Sequence, residues 1–252
     1  MNSSQGIRIK SPNEVDILRK AGKILSSIVV QLQSSLTSGM TTKDIDSQAQ
    51  ELIRKNKVLA AFKGYHGFPG CACVSVNEGV VHGIPGKRVI QNGDIVSIDI
   101  GIIYEGYYSD MAITVPIGAV SGEVKRLLDV TQASLYRGIE QARVGGRLSD
   151  ISFAVQSFVE MHGFSVVRDF VGHGIGRALH EEPEIPNYGR PSQGPVLKEG
   201  MVFAIEPMVN MGSFRTKTLG DGWSVVTIDG KPSAHFEHTI VITSGDPEIL
   251  TK

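Results

Sequence analysis

G-D-I-V-S-I-D, from Gly93 to Asp99, and G-M-V-F-A-I-E, from Gly200 to Glu206, decide the reading of this chain. Each is a nearly apolar strand that finishes on an acid. Removing water from a carboxylate is costly unless a counter-charge compensates it. Neither run contains Lys or Arg. Two such strands at an offset of 107 (200 less 93) ask for a shared counter-charge, and a bound cation supplies one.

The match continues outward. G-M-T-T-K-D-I-D-S-Q-A-Q (Gly39 to Gln50) aligns with G-G-R-L-S-D-I-S-F-A-V-Q (Gly145 to Gln156), so that Gly39, Asp44, Ile45 and Gln50 recur as Gly145, Asp150, Ile151 and Gln156. Y-H-G around His66 aligns with G-H-G around His173. A near-constant offset between separated pieces predicts a duplicated α+β unit, approximately 39–115 and 145–243. The two copies would close around a central site within a single catalytic domain, 1–252.

At 252 residues, 41% apolar and 20% charged, the chain has ordinary globular composition, and its formal net charge of −1 includes no long basic run. That excludes a nucleic-acid binder working by phosphate neutralisation. The N-terminus M-N-S-S-Q-G has no apolar core of the signal-peptide kind, and no stretch reaches the length of a membrane span. The two cysteines, Cys71 and Cys73, are not expected to pair with each other, which fits a reducing, cytoplasmic setting.

Ser11-Pro12-Asn13-Glu14 combines a cap, a proline at the first helical position and a capping-box acid, so a helix is predicted to about Ser35. A second begins at Thr41 and Asp44; two more are predicted over 122–142 and 148–161. Strands are predicted over 72–77, 95–101, 111–115, 164–170, 201–205, 223–227 and 236–243. This order lacks the regular strand–helix alternation of a Rossmann fold. G-H-G-I-G-R around His173 lacks the Lys-Ser/Thr pair of a phosphate loop.

Four carboxylates stand on or beside apolar strands: Asp99, Asp110, Glu206 and Glu237. A hairpin turning at Glu105-Gly106 would bring Asp110 back towards Asp99. E-H-T-I-V-I after Glu237 resembles D-M-A-I-T-V after Asp110, making those two the second repeat-related pair. His173 adds a neutral nitrogen ligand from a glycine-flanked turn. Two divalent ions would formally balance four acids, which suits a dinuclear hydrolytic centre with ions roughly 3.5–4 Å apart. Mn²⁺, Fe²⁺, Co²⁺ and Zn²⁺ all accept this donor set. Singly, Asp110 or Glu237 reads more readily as an exposed charge on an edge strand, and the repeat-related arrangement of four acids is what favours metal.

Five stretches resemble a type I methionine aminopeptidase of the bacterial kind. They are Tyr65 to Pro85 (Y-H-G-F-P-G-C-A-C-V-S-V-N-E-G-V-V-H-G-I-P), Asp99 to Asp110 (D-I-G-I-I-Y-E-G-Y-Y-S-D), Gly172 to Pro183 (G-H-G-I-G-R-A-L-H-E-E-P), Phe203 to Met208 (F-A-I-E-P-M), and Asp221 to Thr239. The resemblance covers essentially the whole length, without the Cys/His-rich zinc-binding extension of eukaryotic type I forms. It implies the "pita-bread" fold with pseudo-two-fold symmetry, and removal of initiator methionine from nascent proteins when the second residue is small.

It also implies roles. Asp99 would hold one metal, His173 and Glu206 the other, and Asp110 and Glu237 would bridge both. His82 would donate near the scissile bond, His180 to the substrate carbonyl, and Glu206 would shuttle a proton. Tyr65, Phe68, Cys73 and Trp223 would wall a methionine pocket, joined by Phe62 and Leu179. Phe62, Phe68 and Leu179 depart from the residues common in the bacterial family. His66 would support the site from outside; His162, His235 and His238 receive no role. The implied setting is a cytoplasmic monomer meeting nascent N-termini, with at most a weak, transient ribosome contact, no specific nucleic acid and no membrane. An aminopeptidase P or prolidase on the same fold is the rival enzyme, and a non-catalytic binding module the rival of another class.

Overall fold

A computed structural model describes residues 6–252. Two helices lead, α1 (Pro12–Ser35) and α2 (Thr42–Lys55). The predicted cap is present: Ser11 accepts from the Glu14 N–H, and the Glu14 carboxylate accepts in return from the Ser11 N–H at 2.9 Å. After β1 (Leu59–Ala60) and a 3-10 turn at Tyr65–Gly67 come β2 (Ala72–Val76), β3 (Gly79–Val81) and the long hairpin β4 (Ile95–Tyr104) and β5 (Tyr107–Pro116). Glu105 and Gly106, at φ 49° and 78°, make its two-residue turn in the positive-φ conformation that suits a right-twisted hairpin. Helices α3 (Gly122–Glu140) and α4 (Leu148–Met161) follow. The remainder is β6 (Ser165–Val166), β7 (Gly172–Gly174), β8 (Glu181–Ile185), β9 (Val202–Ile205), β10 (Met208–Asn210), β11 (Thr216–Thr218), β12 (Val225–Thr227), β13 (Ser233–His235), β14 (Glu237–Val241) and β15 (Glu248–Ile249).

Among the described residues, nine strands form one sheet in the order β1-β4-β5-β14-β9-β7-β8, with β2 also on β4 and β15 on β14. Strand periodicity of two sends alternate residues to opposite faces. Ile98, Ile100, Phe203, Ile205 and Ile240 point to one face. There α1 and α2 cover the first half with Leu25, Ile28, Val29, Ile45 and Ile53, and α3 and α4 cover the second with Leu127, Leu135, Ile151 and Val155. Each such Leu or Ile side chain, once buried, contributes about 1.5–3 kcal/mol. The other face carries Asp99, Ala112, Glu237 and Ala204.

The halves correspond in detail, as the pseudo-two-fold of a pita-bread fold requires. Gly39 and Gly145 both take positive φ, 97° and 86°. Their N–H groups donate to Ile90 and Leu197 carbonyls. Isolated bridges join Thr41 to Val89 in one half and Arg147 to Val196 in the other. Asp44 and Asp150 each accept the N–H of the residue before their helix, Thr41 and Arg147, at 2.8 Å, but only the Thr41 side chain returns the bond, because an arginine side chain has no acceptor. His66 and His173 do not correspond in function of place: His66 lies exposed on the 3-10 turn, His173 buried in β7.

Several predicted strands end early. The stretch 164–170 keeps only Ser165–Val166 as strand, because β10 pairs with just those two residues; Asp169 beyond them turns outward to accept the Thr216 hydroxyl at 2.7 Å. Residues 223–224 belong to a turn, where Asp221 accepts from the amides of Trp223 and Ser224. Both cysteines are free and buried. No helix among the described residues is long and apolar enough to cross a membrane.

Candidate metal centre

Register gathers the acids. Asp99 on β4 stands opposite Ala112 on β5, and Ala112 stands opposite Glu237 on β14. The next strand, β9, ends at Ile205 opposite His238, which leaves Glu206 just beyond, at the level of Glu237. One row across four strands therefore carries Asp99, Glu237 and Glu206. In the row beside it, Gly101 faces Asp110, and Ala204 lies between Thr239 on β14 and His173 on β7. The Thr239 hydroxyl accepts from the Asp110 N–H at 3.1 Å and donates to the Asp110 carbonyl at 2.8 Å, which ties β5 to β14 within this second row.

Small residues between the ligands keep the space open. A Cβ on Gly101 would come within 2.8 Å of Phe62 Cε1 and 3.3 Å of Asp110 Oδ1. Gly172 and Gly174, on either side of His173, lie against the Ala204 and Glu182 carbonyls where no Cβ fits. This is the close backbone approach that G-H-G permits.

Asp110 and Glu237 are buried, at 4% and 2% exposure, on the central strands rather than on edges. Burial, then the charge of Asp110, pushes Asp99 well above the ordinary carboxylate range. Burial followed by repulsion from the neighbouring acids does the same to Glu206 and Glu237. Burial also raises Asp110 to about 7, against the Met111 N–H that it accepts. No Lys or Arg of the described residues lines the cavity. Asp99 Oδ1 and Glu237 Oε1 are buried without any hydrogen-bond partner.

His173 completes the donor set. Its Nδ1 lies 2.9 Å from the Gly174 carbonyl. A carbonyl only accepts, so Nδ1 carries the proton and Nε2 presents a lone pair. Burial, with the charge of His180, lowers its pKa to about 3 despite that hydrogen bond, so the ring is neutral. Nε2 faces Glu206 Oε1 at 3.5 Å, acceptor against acceptor. One oxygen or nitrogen each from Asp110, His173 and Glu237 falls within 4.8 Å of the others. Orphaned oxygens, crowded acids and an inward lone pair fit divalent cations and leave the cluster uncompensated without them.

All fourteen site residues named from the sequence line one cavity of about 270 Å³. Phe68 packs edge-on against Trp223 with ring centroids 5.2 Å apart, and Phe62, Cys73 and Leu179 are buried beside them. Cys73 faces Asp99 across β2 and β4. His82 takes φ 57°, an unusual conformation for a non-glycine residue, and sits edge-on to Phe170. Burial and the charge of His180 lower its pKa to about 4. Tyr65 Oη lies 2.8 Å from His180 Nδ1, and the His180 ring meets that of His173 at 4.4 Å. His66 stays at the rim, 4.4 Å edge-on from Tyr65.

The sequence reading missed His235. It is 1% exposed, and its Nε2, without a partner, lies 3.8 Å from Glu206 Oε2. Burial, then His82, lowers its pKa to about 3. The signal available was spacing: in H-F-E, strand alternation puts His235 on the same side as Glu237. His238 faces the other way and bonds Thr251 at 2.9 Å.

Residues 16–244 match metallopeptidase family M24, and the chain belongs to that family. It is 54% identical over 245 residues to a methionine aminopeptidase of Clostridium perfringens (strain 13 / Type A), covering 97% of this chain and 98% of that protein. A crystal structure of the methionine aminopeptidase of Thermotoga maritima superposes with a TM-score of 0.96 at 48% identity, over 98% of this chain and 99% of that one. The prolidase of Pyrococcus horikoshii OT3 shares the fold at 25% identity and a TM-score of 0.78, but this chain spans only 63% of it.

Proposed function

We propose that this protein hydrolyses the peptide bond after an N-terminal methionine when the second residue is small, using two divalent ions drawn from Mn²⁺, Fe²⁺, Co²⁺ or Zn²⁺. The observation that carries the reading is a box of four acids, Asp110 and Glu237 buried and Asp99 and Glu206 partly so, with one neutral imidazole, lining one small cavity. High identity to methionine aminopeptidases over nearly the whole chain supports the same substrate. Asp99 would hold one ion, His173 and Glu206 the other, with Asp110 and Glu237 shared. Such ions, when bound, activate water and polarise a carbonyl.

The chain's own side chains do the rest. Phe62, Phe68, Cys73, Leu179 and Trp223 exclude water and seat a flexible thioether, which makes favourable contacts at aromatic edges. Tyr65 Oη and His180 Nδ1 share a hydrogen bond of 2.8 Å whose donor depends on the histidine tautomer, and the proposed role takes the hydroxyl as donor. That fixes the tautomer and leaves the Nε2 proton to donate to the substrate carbonyl oxygen, where charge develops in the transition state. His82, kept neutral by burial, donates near the scissile nitrogen. Glu206 moves a proton to the leaving amine. The setting is a cytoplasmic monomer acting on nascent chain ends, with any ribosome contact weak because the formal net charge is −1. A peptide panel tests the substrate. Met-Ala-X and Met-Gly-X should be cleaved and non-methionyl X-Pro peptides spared; preference for the X-Pro bond would assign the prolidase activity instead.

A further inference from the structure

Lys10 has almost no access to water: 5% of its side chain is exposed, and 8% of that of Glu181, its partner at 2.7 Å. A buried lysine persists only where its charge is paired and its protons are used. Here Nζ also donates to the Arg8 carbonyl at 3.3 Å. The Lys10 backbone N–H donates to the Gly200 carbonyl at 2.8 Å, tying the N-terminal segment to the turn that precedes the Glu206 strand.

Glu181 follows His180 directly. Its second oxygen accepts from the amides of Arg177 at 2.7 Å and Ala178 at 3.2 Å. Its backbone pairs with Gly174 in the hairpin that carries His173. One carboxylate thus closes the loop running from the His173 strand to His180. Burial pushes the Glu181 pKa up, but the Lys10 hydrogen bond and charge, with those two amides, hold it below the ordinary value, so the pair is ionic. The loop rests on the pair itself: a Cβ on Gly176 would come within 2.6 Å of Lys10 Cε and 2.9 Å of Glu181 Oε1. Neither Lys10 nor Glu181 lines the cavity.

We propose that the Lys10–Glu181 ion pair is a positioning device for His180, clamping the 176–180 loop so that the imidazole stands between Tyr65 and His173 and faces the substrate. This rests on the reading of His180 as a substrate-facing donor. Lys10 acts only through His180; it touches no reacting atom.

Kinetics of Lys10→Met in two backgrounds test the pair. With His180 present, kcat on Met-Ala-X should fall roughly tenfold or more while KM stays within about threefold, because a misplaced donor loses transition-state stabilisation before substrate binding. In the His180→Ala background the same change should alter kcat less than about twofold. An equal fall in both backgrounds, or an unchanged kcat in folded Lys10→Met, would overturn the proposal. Glu181→Gln keeps the shape and an acceptor for the two amides, so it gives the same readings should Lys10→Met not fold. A second arm needs no turnover. In histidine-labelled, metal-free protein, the His180 ring resonance, assigned by its loss in His180→Ala, should shift or broaden in either variant while that of His162, on the C-terminus of α4, stays in place. An unmoved His180 resonance would refute the clamp. Wild-type protein that spares methionyl peptides would instead refute the substrate reading, and the resonance arm would still decide the role of the pair.

Discussion

His180 and Asp110 share one cavity but are read as doing different work, and single substitutions separate them. His180→Ala removes a proposed hydrogen-bond donor and no metal ligand. Metal content should stay near wild type while kcat falls by roughly a hundredfold, the usual cost of one donor to developing charge. Asp110→Ala removes a proposed bridge, so occupancy and rate should fall together. Metal analysis beside peptide kinetics on folded protein decides: full occupancy with normal turnover in Asp110→Ala would exclude the bridge, and loss of metal in His180→Ala would make that histidine a ligand. At this scale the acids were legible because each interrupts an apolar strand, which is physically expensive and therefore informative. His235 was not. A histidine beside another histidine and a glutamate carries no such contradiction, and only the three-dimensional approach to Glu206 at 3.8 Å gives it a place. The walls of the cavity, Phe62 and Leu179 among them, are indistinguishable from core in sequence, since they are buried apolar residues; family resemblance alone singled them out.

Elements with strong local signals were read nearly to the residue. Helix α1 starts at Pro12 behind its capping box and ends at Ser35, and α4 spans Leu148–Met161, because capping and helical periodicity are encoded within a few neighbouring residues. Short strands were not. β3, β8 and β11 have three to five residues each, several of them polar, and exist because a partner strand is placed beside them. The α1 cap makes a separate pH prediction. Glu14 is held down to about 2, first by the Ser11 N–H, then by hydrogen bonds from Tyr107 and Ser11. A depressed carboxylate contributes stability that is complete above its unfolded value, near 4.5, and is lost as pH falls through its folded value. Glu14→Gln keeps the capping-box acceptor and loses only the charge, so it should cost roughly 0.5 kcal/mol at pH 7. The difference from wild type should shrink between pH 4.5 and about 2. Denaturant titrations across that range check it; a gap that stays constant with pH would deny the carboxylate its role.

At the scale of the whole molecule, two helix-backed halves share one sheet, and their acids meet where the sheet is continuous, along β4, β5, β14 and β9. The pseudo-two-fold was legible because paired glycines and helix-start aspartates repeat at an offset of 106 (145 less 39) and the strands ending on Asp99 and Glu206 at 107 (206 less 99). Closure of the halves around a central site was expected from the repeat, but the continuous sheet that joins them was not, since the strands that meet there are far apart in the chain and paired only through register. Each half brings proposed ligands, Asp99 and Asp110 from one and His173, Glu206 and Glu237 from the other, so ions bound between them should stabilise the fold as well as permit catalysis. Each ion at 100 times its dissociation constant would add about 2.7 kcal/mol, and Tm should rise by roughly 5–10 °C per site filled. The central claim, that this chain is a hydrolase working through metal at these five residues, is tested most directly by removing the metal. Protein stripped with chelator and verified metal-free should lose cleavage of Met-Ala-X, and adding back Mn²⁺, Co²⁺ or Fe²⁺ should restore both turnover and Tm. Full turnover by the verified metal-free protein would contradict the account.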